Sequence, residues 1–329
     1  MTRRAAIPFA ALALASVVAA GRVDAQRAAA RRPAAHRPAA RAERADTAAL
    51  RRALDSLAAA YEGAPAGRRG VVGYLVHNLD TGERLGRRAD ETFPTASLIK
   101  VAVLVTLYDL VERRMIALDD PLTVLKIDQV PGAGTLQFMH PGLTVTVRDA
   151  AWLMTTISDN TATNLLLDRV AIRRVWEKME ALGLAHTKVH AKVFLRLASV
   201  APDSSVKYGL GVTTPNEMGT LFARLADGKA VSPAADSAML EVLAHNEDGN
   251  LLQRYVDGVP AAHKTGATDE VRTECTLWYL ASRVVACVFT RENQDRRWVL
   301  DSEPQLLLAR MGHAIAGAWP RKPALATAP

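Results

Sequence analysis

A serine and a lysine that could act together in catalysis lie three residues apart in the stretch FPTASLIK, as Ser97 and Lys100. An apolar run follows to about Met115 and predicts a buried helix, on which residues three apart share one face. A serine becomes nucleophilic when a base takes its proton, and a lysine can be that base if burial or positive charge keeps it neutral. The pair therefore predicts nucleophilic chemistry at Ser97.

The spacing alone is weak evidence for this chemistry. Ser204 and Lys207 repeat it in SSVK, where no apolar helix follows. Serine and lysine are also common near helix starts for structural reasons, as an N-cap and as a side chain lying along an apolar surface. The interpretation of Ser97 therefore depends on partners elsewhere in the chain.

Two further polar motifs follow, Ser-Asp-Asn at 158–160 in MTTISDNTATNLLLD and His-Lys-Thr-Gly at 263–266 in AAHKTGATDE. Alone, the first could be a helix-start turn and the second a sheet edge. In this order the three motifs resemble the active-site set of the penicillin-recognising serine enzymes, particularly class A β-lactamases and related serine hydrolases. The stretches GAGTLQ and PGLTVTVRDAAWLM are similar to that family as well, and the resemblance spans roughly residues 47–319.

The resemblance implies roles for the first two motifs. Ser97 would be the acylated nucleophile, and Lys100 would be its general base or proton relay. Ser158 would pass a proton to the leaving nitrogen. Asn160 would hold the side-chain amide of the substrate.

The resemblance also implies roles for the third motif. Lys264 and Thr265 would bind the substrate carboxylate, and the charge of Lys264 would help to keep Lys100 neutral. The backbone N–H groups of Ser97 and Ala267 would form the oxyanion hole, because the start of a helix concentrates positive potential there.

Arg272, on the strand-like run after this motif, has two interpretations. It could give the substrate carboxylate a second contact, since a guanidinium binds carboxylates well. It could equally be a solvated strand-edge residue whose aliphatic stem lies on the surface. The sequence leaves both open.

One part of the family pattern is missing. Class A β-lactamases share a glutamate on the loop after the Ser-Asp-Asn helix. This glutamate activates the water that releases the acyl-enzyme. No glutamate occurs from Ala181 to Asn216, and Asp203 is the only acid there. Asp203 could supply the deacylation base, but it stands in Pro-Asp-Ser-Ser, a context typical of turns, so a turn role is the other interpretation. If a glutamate were introduced into this loop to speed deacylation, the resemblance would place it within 194–199.

Three functions stay open at this point. The first is a secreted β-lactamase-like hydrolase that opens β-lactams or related amides, with deacylation in doubt. The second is a D-alanyl-D-alanine carboxypeptidase or esterase with the same machinery. The third is a covalent penicillin-binding sensor that stays acylated. The substrate would be a small-molecule β-lactam or a peptidoglycan-like peptide, and we expect a monomer.

The elements that must position these residues follow from apolar periodicity. TAALRRALDSLAAAYEG predicts an amphipathic helix from Thr47, and VVGYLVHNL with the Asp-Thr-Gly turn after it predicts a hairpin. Strands return over 258–290, and a helix over 302–318. We therefore predict an α+β, β-lactamase/transpeptidase-like fold within 47–320, with an antiparallel sheet from both ends (47–92 and 258–320) and an inserted all-helical part (93–257).

The N-terminal residues predict export. Residues 1–25 combine Arg3 and Arg4, an apolar run and a Val-Asp-Ala site, as in a signal peptide, and the run is too short for the roughly 20 residues of a spanning helix. An Ala/Arg/Pro-rich linker would cover 26–46, and a tail 321–329. We expect a secreted or periplasmic protein with no integral membrane span after cleavage.

Charge and cysteine content narrow the function further. The net charge is +7, but residues 1–46 hold nine of the 41 basic and three of the 34 acidic side chains, which leaves 32 and 31 elsewhere. A nearly neutral remainder argues against nucleic acid as a partner. No metal motif occurs, so we expect neither metal nor cofactor. Cys275 and Cys287 could be paired or free, depending on hairpin register.

Overall fold

The computed structural model describes residues 45–195, 197 and 199–320. The predicted signal peptide, nearly all of the linker and the tail lie outside these residues. In chain order the helices are α1 (Thr47–Glu62), α2 (Lys100–Glu112), α3 (Val147–Thr156), α4 (Asn160–Val170), α5 (Ile172–Ala181), α6 (Pro202–Tyr208), α7 (Pro215–Ala226), α8 (Pro233–Ala244) and α9 (Glu303–Ala318). The strands are β1 (Val71–Asn78), β2 (Arg84–Arg87), β3 (Phe93–Pro94), β4 (Pro121–Thr123), β5 (Thr144–Thr146), β6 (Lys188–Val189), β7 (Gly211–Thr213), β8 (Ala261–Thr268), β9 (Val271–Tyr279) and β10 (Arg283–Arg291).

Both ends of the described chain build one antiparallel sheet, with strand order β2-β1-β10-β9-β8. The predicted hairpin is confirmed as β1 and β2, and Gly82 in its turn has a φ of +77°, a conformation that glycine adopts freely. The α+β fold with an antiparallel sheet and flanking helices is therefore confirmed.

The sheet is apolar on both faces, because helices cover each of them. Successive side chains of a strand point to opposite faces. On β10, Val284, Ala286 and Val288 pack with the core that includes α1 and α9, whereas Val285 and Phe289 pack with the core around α2. This explains why β10 is apolar without the alternation of a half-exposed strand.

Cys275 and Cys287 form a disulfide. They face each other directly in the ladder between β9 and β10, which settles the register that the sequence left open. Both are buried, and they crosslink the strand next to β8, which carries Lys264.

The segment between the sheet strands is more varied than the predicted all-helical part. It includes a three-stranded sheet, β3-β7-β6, and a strand pair, β4-β5, whose strands of two or three residues are too short to show a period in the sequence. Moreover, α7 packs on the sheet, since Gly219 leaves room for Leu75 of β1, 2.3 Å from where a Cβ would lie. Among the described residues, no helix is long and apolar enough to cross a membrane.

Candidate active site

The Ser-x-x-Lys motif lies at the start of the central helix. Ser97 is in a 3₁₀ turn, Ala96–Ile99, and Lys100 is the first residue of α2. In a 3₁₀ turn residues three apart eclipse one another, so both side chains leave from one side. Ser97 lines a cavity of about 1010 Å³, while Lys100 is only 1% exposed. The turn thus presents the serine to solvent and keeps the lysine in the interior.

Ser158 lies between α3 and α4 with a left-handed backbone, at a φ of +58°. Such a conformation is uncommon for a residue other than glycine, and it often occurs at functional sites. The Nζ of Lys100 lies 2.6 Å from the Ser158 carbonyl oxygen, 3.1 Å from Ser158 Oγ and 2.9 Å from Asn160 Oδ1. The structure therefore brings the first two motifs into direct contact.

The third motif reaches the same hydroxyl from β8. Lys264 Nζ lies 3.2 Å from Ser158 Oγ and donates to the Thr265 carbonyl oxygen at 2.9 Å. A serine hydroxyl can accept from an ammonium and donate to a neutral amine at once. The contacts therefore form a proton path from Lys264 through Ser158 to Lys100.

Burial lowers the pKa of both lysines. It lowers the pKa of Lys100 well below the usual lysine value, and the nearby charge of Lys264 lowers this pKa further. Burial also lowers the pKa of Lys264 to about 8, although Asp248 and Glu274 favour its charged form. Near pH 7, Lys264 accordingly keeps its proton, and Lys100 can serve as a base.

Asp159, the middle residue of the Ser-Asp-Asn motif, positions the other two. One carboxylate oxygen caps α4 by accepting from Ala162 N, and the other accepts from Thr135 N at 2.7 Å and Leu136 N at 2.9 Å. Gly134 allows this approach, because a Cβ there would lie 2.2 Å from the carboxyl carbon of Asp159. The Ser-Asp-Asn motif is therefore both a helix-start turn, through Asp159, and part of the polar site, through Ser158 and Asn160.

The predicted substrate contacts lie around the cavity of Ser97. Asn160 and Ala267 line it, and Thr265 is in the same strand. The Nδ2 of Asn160 donates to the Pro131 carbonyl oxygen at 2.9 Å, a bond that a substrate amide would share or replace. Strand β8 lies against the 3₁₀ turn at Gly266, where a Cβ would be 2.3 Å from the Thr95 carbonyl oxygen. The oxyanion-hole role of Ser97 and Ala267 stays a prediction.

Arg272 is not the solvated strand-edge residue that the sequence allowed, since it is 2% exposed. Its guanidinium donates to the carbonyl oxygens of Val271, Thr268 and Arg297 and lies 4.6 Å from the ring centroid of Trp298. These bonds give it a structural role, and its contact with a substrate carboxylate stays a prediction.

The loop after β6 contains a contact that the sequence did not reveal. Asn164 of α4 binds the backbone of Val193 twice, accepting from its N–H at 2.7 Å and donating to its carbonyl oxygen at 3.1 Å. Val193 lines the cavity with Ser97 and is 9% exposed. Asp203 is exposed in the first turn of α6 and does not line this cavity.

Among residues 45–195, 197 and 199–320, no cluster of three or more His, Cys, Asp or Glu side chains could hold a metal ion. The fold and the two lysines around Ser158 define a serine hydrolase of β-lactamase type.

Comparison with known proteins agrees with this class. A family described as "Beta-lactamase enzyme family" matches residues 49–319, so the chain belongs to that family. It is 29% identical over 218 residues to beta-lactamase L2 of Stenotrophomonas maltophilia, covering 65% of this chain and 70% of that protein. It is 38% identical to the beta-lactamase regulatory protein BlaB of Streptomyces cacaoi over 103 residues, 29% of this chain and 31% of that one.

Solved structures show the same fold. A beta-lactamase from Sphaerobacter thermophilus superimposes with a TM-score of 0.72 at 27% identity, covering 81% of this chain and 97% of that one. PBP-A superimposes with a TM-score of 0.71 at 26% identity, covering 82% and 95%. The protein is thus a serine β-lactamase-like hydrolase.

Proposed function

We propose that the protein is an exported serine hydrolase that is acylated at Ser97 by β-lactams and releases the acyl group slowly. The observation that carries this proposal is the contact of Lys100 and Lys264 with one hydroxyl, Ser158 Oγ. Family membership supports the substrate class, and the predicted signal peptide supports export.

The acylation step uses this proton path. Ser97 Oγ attacks the carbonyl carbon of the β-lactam amide, and its proton passes to the neutral Nζ of Lys100. As the amide C–N bond breaks, Ser158 gives its proton to the leaving nitrogen and is reprotonated from the lysines. The transfers through Ser158 run along hydrogen bonds, since its Oγ lies 3.1 Å from Lys100 Nζ and 3.2 Å from Lys264 Nζ. The product is an ester of Ser97.

Deacylation lacks an equivalent base on the loop that faces Ser97. Val193, whose backbone Asn164 holds on both sides, offers an apolar side chain there. Other walls of the cavity do carry carboxylates, namely Asp90, Glu91, Asp269, Glu270 and Glu292. Each of these five is bound by an arginine, an asparagine or a tryptophan N–H. We infer that water attack on the acyl-enzyme receives little general-base help.

Similarity to PBP-A supports the acylation half of the proposal. A leucine-to-glutamate variant of PBP-A is known as an acyl-enzyme complex with penicillin G, at 26% identity to this chain. A second candidate function, hydrolysis of a D-Ala-D-Ala peptide or ester, would use the same acylation at Ser97. A third, a sensor that stays acylated, draws on the 103-residue similarity to the regulatory protein BlaB.

One experiment separates these functions. The purified protein is mixed with nitrocefin, a penicillin or a D-Ala-D-Ala peptide, and both intact mass and product are followed over time. We expect a stoichiometric penicillin adduct within minutes, a burst of product, and slow turnover afterwards. Ser97→Ala should abolish the adduct. Ser204→Ala is the matched control, because Ser204 repeats the motif spacing in α6 without the buried helix.

The alternatives give different results. Faster turnover of the peptide than of any β-lactam would favour the peptidase, and an adduct that persists with no product would favour the sensor. Undiminished labelling of Ser97→Ala would contradict the mechanism as a whole. Rapid multiple turnover with no detectable adduct would show that another group supplies the deacylation base.

A further inference from the structure

The hydroxyl of Thr265 is already occupied by a protein carboxylate. Its Oγ1 donates to Asp248 Oδ2 at 2.8 Å. A threonine has one O–H donor. While Asp248 accepts it, Thr265 cannot donate to the substrate carboxylate that the family resemblance assigns to it.

Asp248 is held firmly in this orientation. Its second oxygen, Oδ1, accepts from the side-chain and backbone nitrogens of Asn250 at 3.1 and 3.3 Å, and its own N–H donates to Asn246 Oδ1 at 3.0 Å. Asn246 in turn donates to the Thr155 carbonyl oxygen at the end of α3. The turn that carries Asp248 is thus anchored to the helix that precedes Ser158.

The charged groups around Thr265 are already paired with one another. Glu274, which is fully buried and lies opposite Thr265 in the ladder between β8 and β9, accepts from Leu252 N at 2.6 Å and lies 2.8 Å from His263 Nδ1. Asp248 favours the charged forms of both Lys264 and Arg272. An incoming carboxylate would therefore compete with Asp248 for these cations as well as for the Thr265 hydroxyl.

Asp248 also borders a second cavity, of about 540 Å³, which shares Ala267 with the cavity of Ser97. Its walls include Leu251, Trp298 and Leu300. Arg272 lines it too, but its guanidinium is directed to backbone carbonyl oxygens. The cavity therefore combines apolar walls with an acidic side, and it fits an uncharged or cationic group better than an anionic one.

We propose that Asp248 is a specificity-determining residue, which disfavours a free carboxylate at Thr265 and favours substrates with an ester, amide or amine there. This inference rests on the proposed function, because it concerns the acylation of Ser97. Asp248 would act on the substrate through its hydrogen bond with Thr265 and its negative charge, and a conservative substitution of Asp248 can remove both.

The test compares two compounds that differ only in this group, penicillin G and its methyl ester. The second-order rate of Ser97 acylation is measured by intact mass for the wild type, Asp248→Asn and Glu247→Gln. In Asp248→Asn the amide oxygen can still accept from Asn250, and the amide nitrogen can donate to Thr265, freeing its O–H for the substrate. We expect the acid-to-ester rate ratio to rise roughly tenfold or more, as for a charge-assisted hydrogen bond.

Glu247→Gln is the matched control, since Glu247 is an exposed neighbour with the same charge. Its ratio should equal that of the wild type. Asp248→Ser keeps a hydrogen-bond acceptor that is common in turns, and it should also raise the acid-to-ester rate ratio. It replaces Asp248→Asn if Asp248→Asn does not fold. An unchanged ratio in the folded Asp248 variant, or an equal rise in Glu247→Gln, would overturn the inference while leaving acylation intact. Failure of both compounds to acylate the wild type would instead overturn the proposed function, and this inference with it.

Discussion

Lys100 and Lys264 share one hydrogen-bond partner, with their Nζ atoms 3.1 and 3.2 Å from Ser158 Oγ. Two buried ammonium groups this close repel each other, so the charge of one favours the neutral form of the other. The carboxylates of Asp248 and Glu274 favour the charged form of Lys264, whereas burial favours the neutral form of Lys100. The neutral amine of Lys100 can therefore accept a proton from Ser158. The same pair therefore explains both the base and the acid of the acylation step.

Removal of the Lys264 ammonium should weaken both substrate binding and acylation. Lys264→Ala loses a charged contact of about 1.5–3 kcal/mol and raises the pKa of Lys100, so kcat/KM for acylation should fall roughly 10- to 100-fold or more. The measurement is acylation rate against penicillin concentration. Lys207→Ala is the control, because Lys207 is an exposed lysine of the same cavity. Equal kinetics for the two variants would show that the substrate is held elsewhere.

The pH dependence of acylation should have two limbs of opposite sign. Lys100 must be neutral, so the rate should rise as pH increases through its lowered pKa. Lys264 must be charged, so the rate should fall above a pH of about 8. Stopped-flow acylation from pH 5 to 11 measures both limbs. In Lys264→Arg the alkaline limb should move beyond this range, because a guanidinium keeps its proton. A wild-type limb at the usual lysine pKa of 10.5 would contradict the assignment.

A glutamate at Val193 should speed deacylation. The sequence alone suggested residues 194–199, but the clamp by Asn164 and the lining of the cavity identify Val193 as the better position. General-base help typically contributes about 10²–10⁴-fold, so the penicillin adduct of Val193→Glu should decay faster by up to that factor. Intact mass after removal of free penicillin gives the rate. Leu197→Glu is the control, because Leu197 is fully exposed on the same loop. Unchanged decay in a Val193→Glu variant that acylates normally would exclude this position.

The disulfide should stabilise the sheet that carries Lys264. It joins two cysteines 12 positions apart in the sequence, and for a loop of this size the chain-entropy model predicts about 3 kcal/mol. The double variant Cys275→Ala/Cys287→Ala should lose roughly this amount in its free energy of unfolding, measured with urea. A reductant should bring the wild type to the same midpoint and leave the variant unchanged. A wild type that is insensitive to reductant would show that the crosslink contributes little.

The sequence by itself determined the main elements and the chemical groups of the site. Apolar periodicity predicted α1, the hairpin of β1 and β2, and the buried helix after Ser97, because burial selects apolar residues at the period of each element. The motif order predicted which polar residues would meet, and the structure brings Lys100, Ser158 and Lys264 within hydrogen-bond distance.

Only the tertiary structure decided the relationships that depend on distance between remote segments. Asp248 meets Thr265 across 17 residues, and Asn164 meets Val193 across 29, in contacts that no local pattern signals. Likewise, the pairing of Cys275 with Cys287 required the strand register. A sequence records which groups are available, but hydrogen bonds form within about 3 Å, and the packing of distant elements sets which groups come that close.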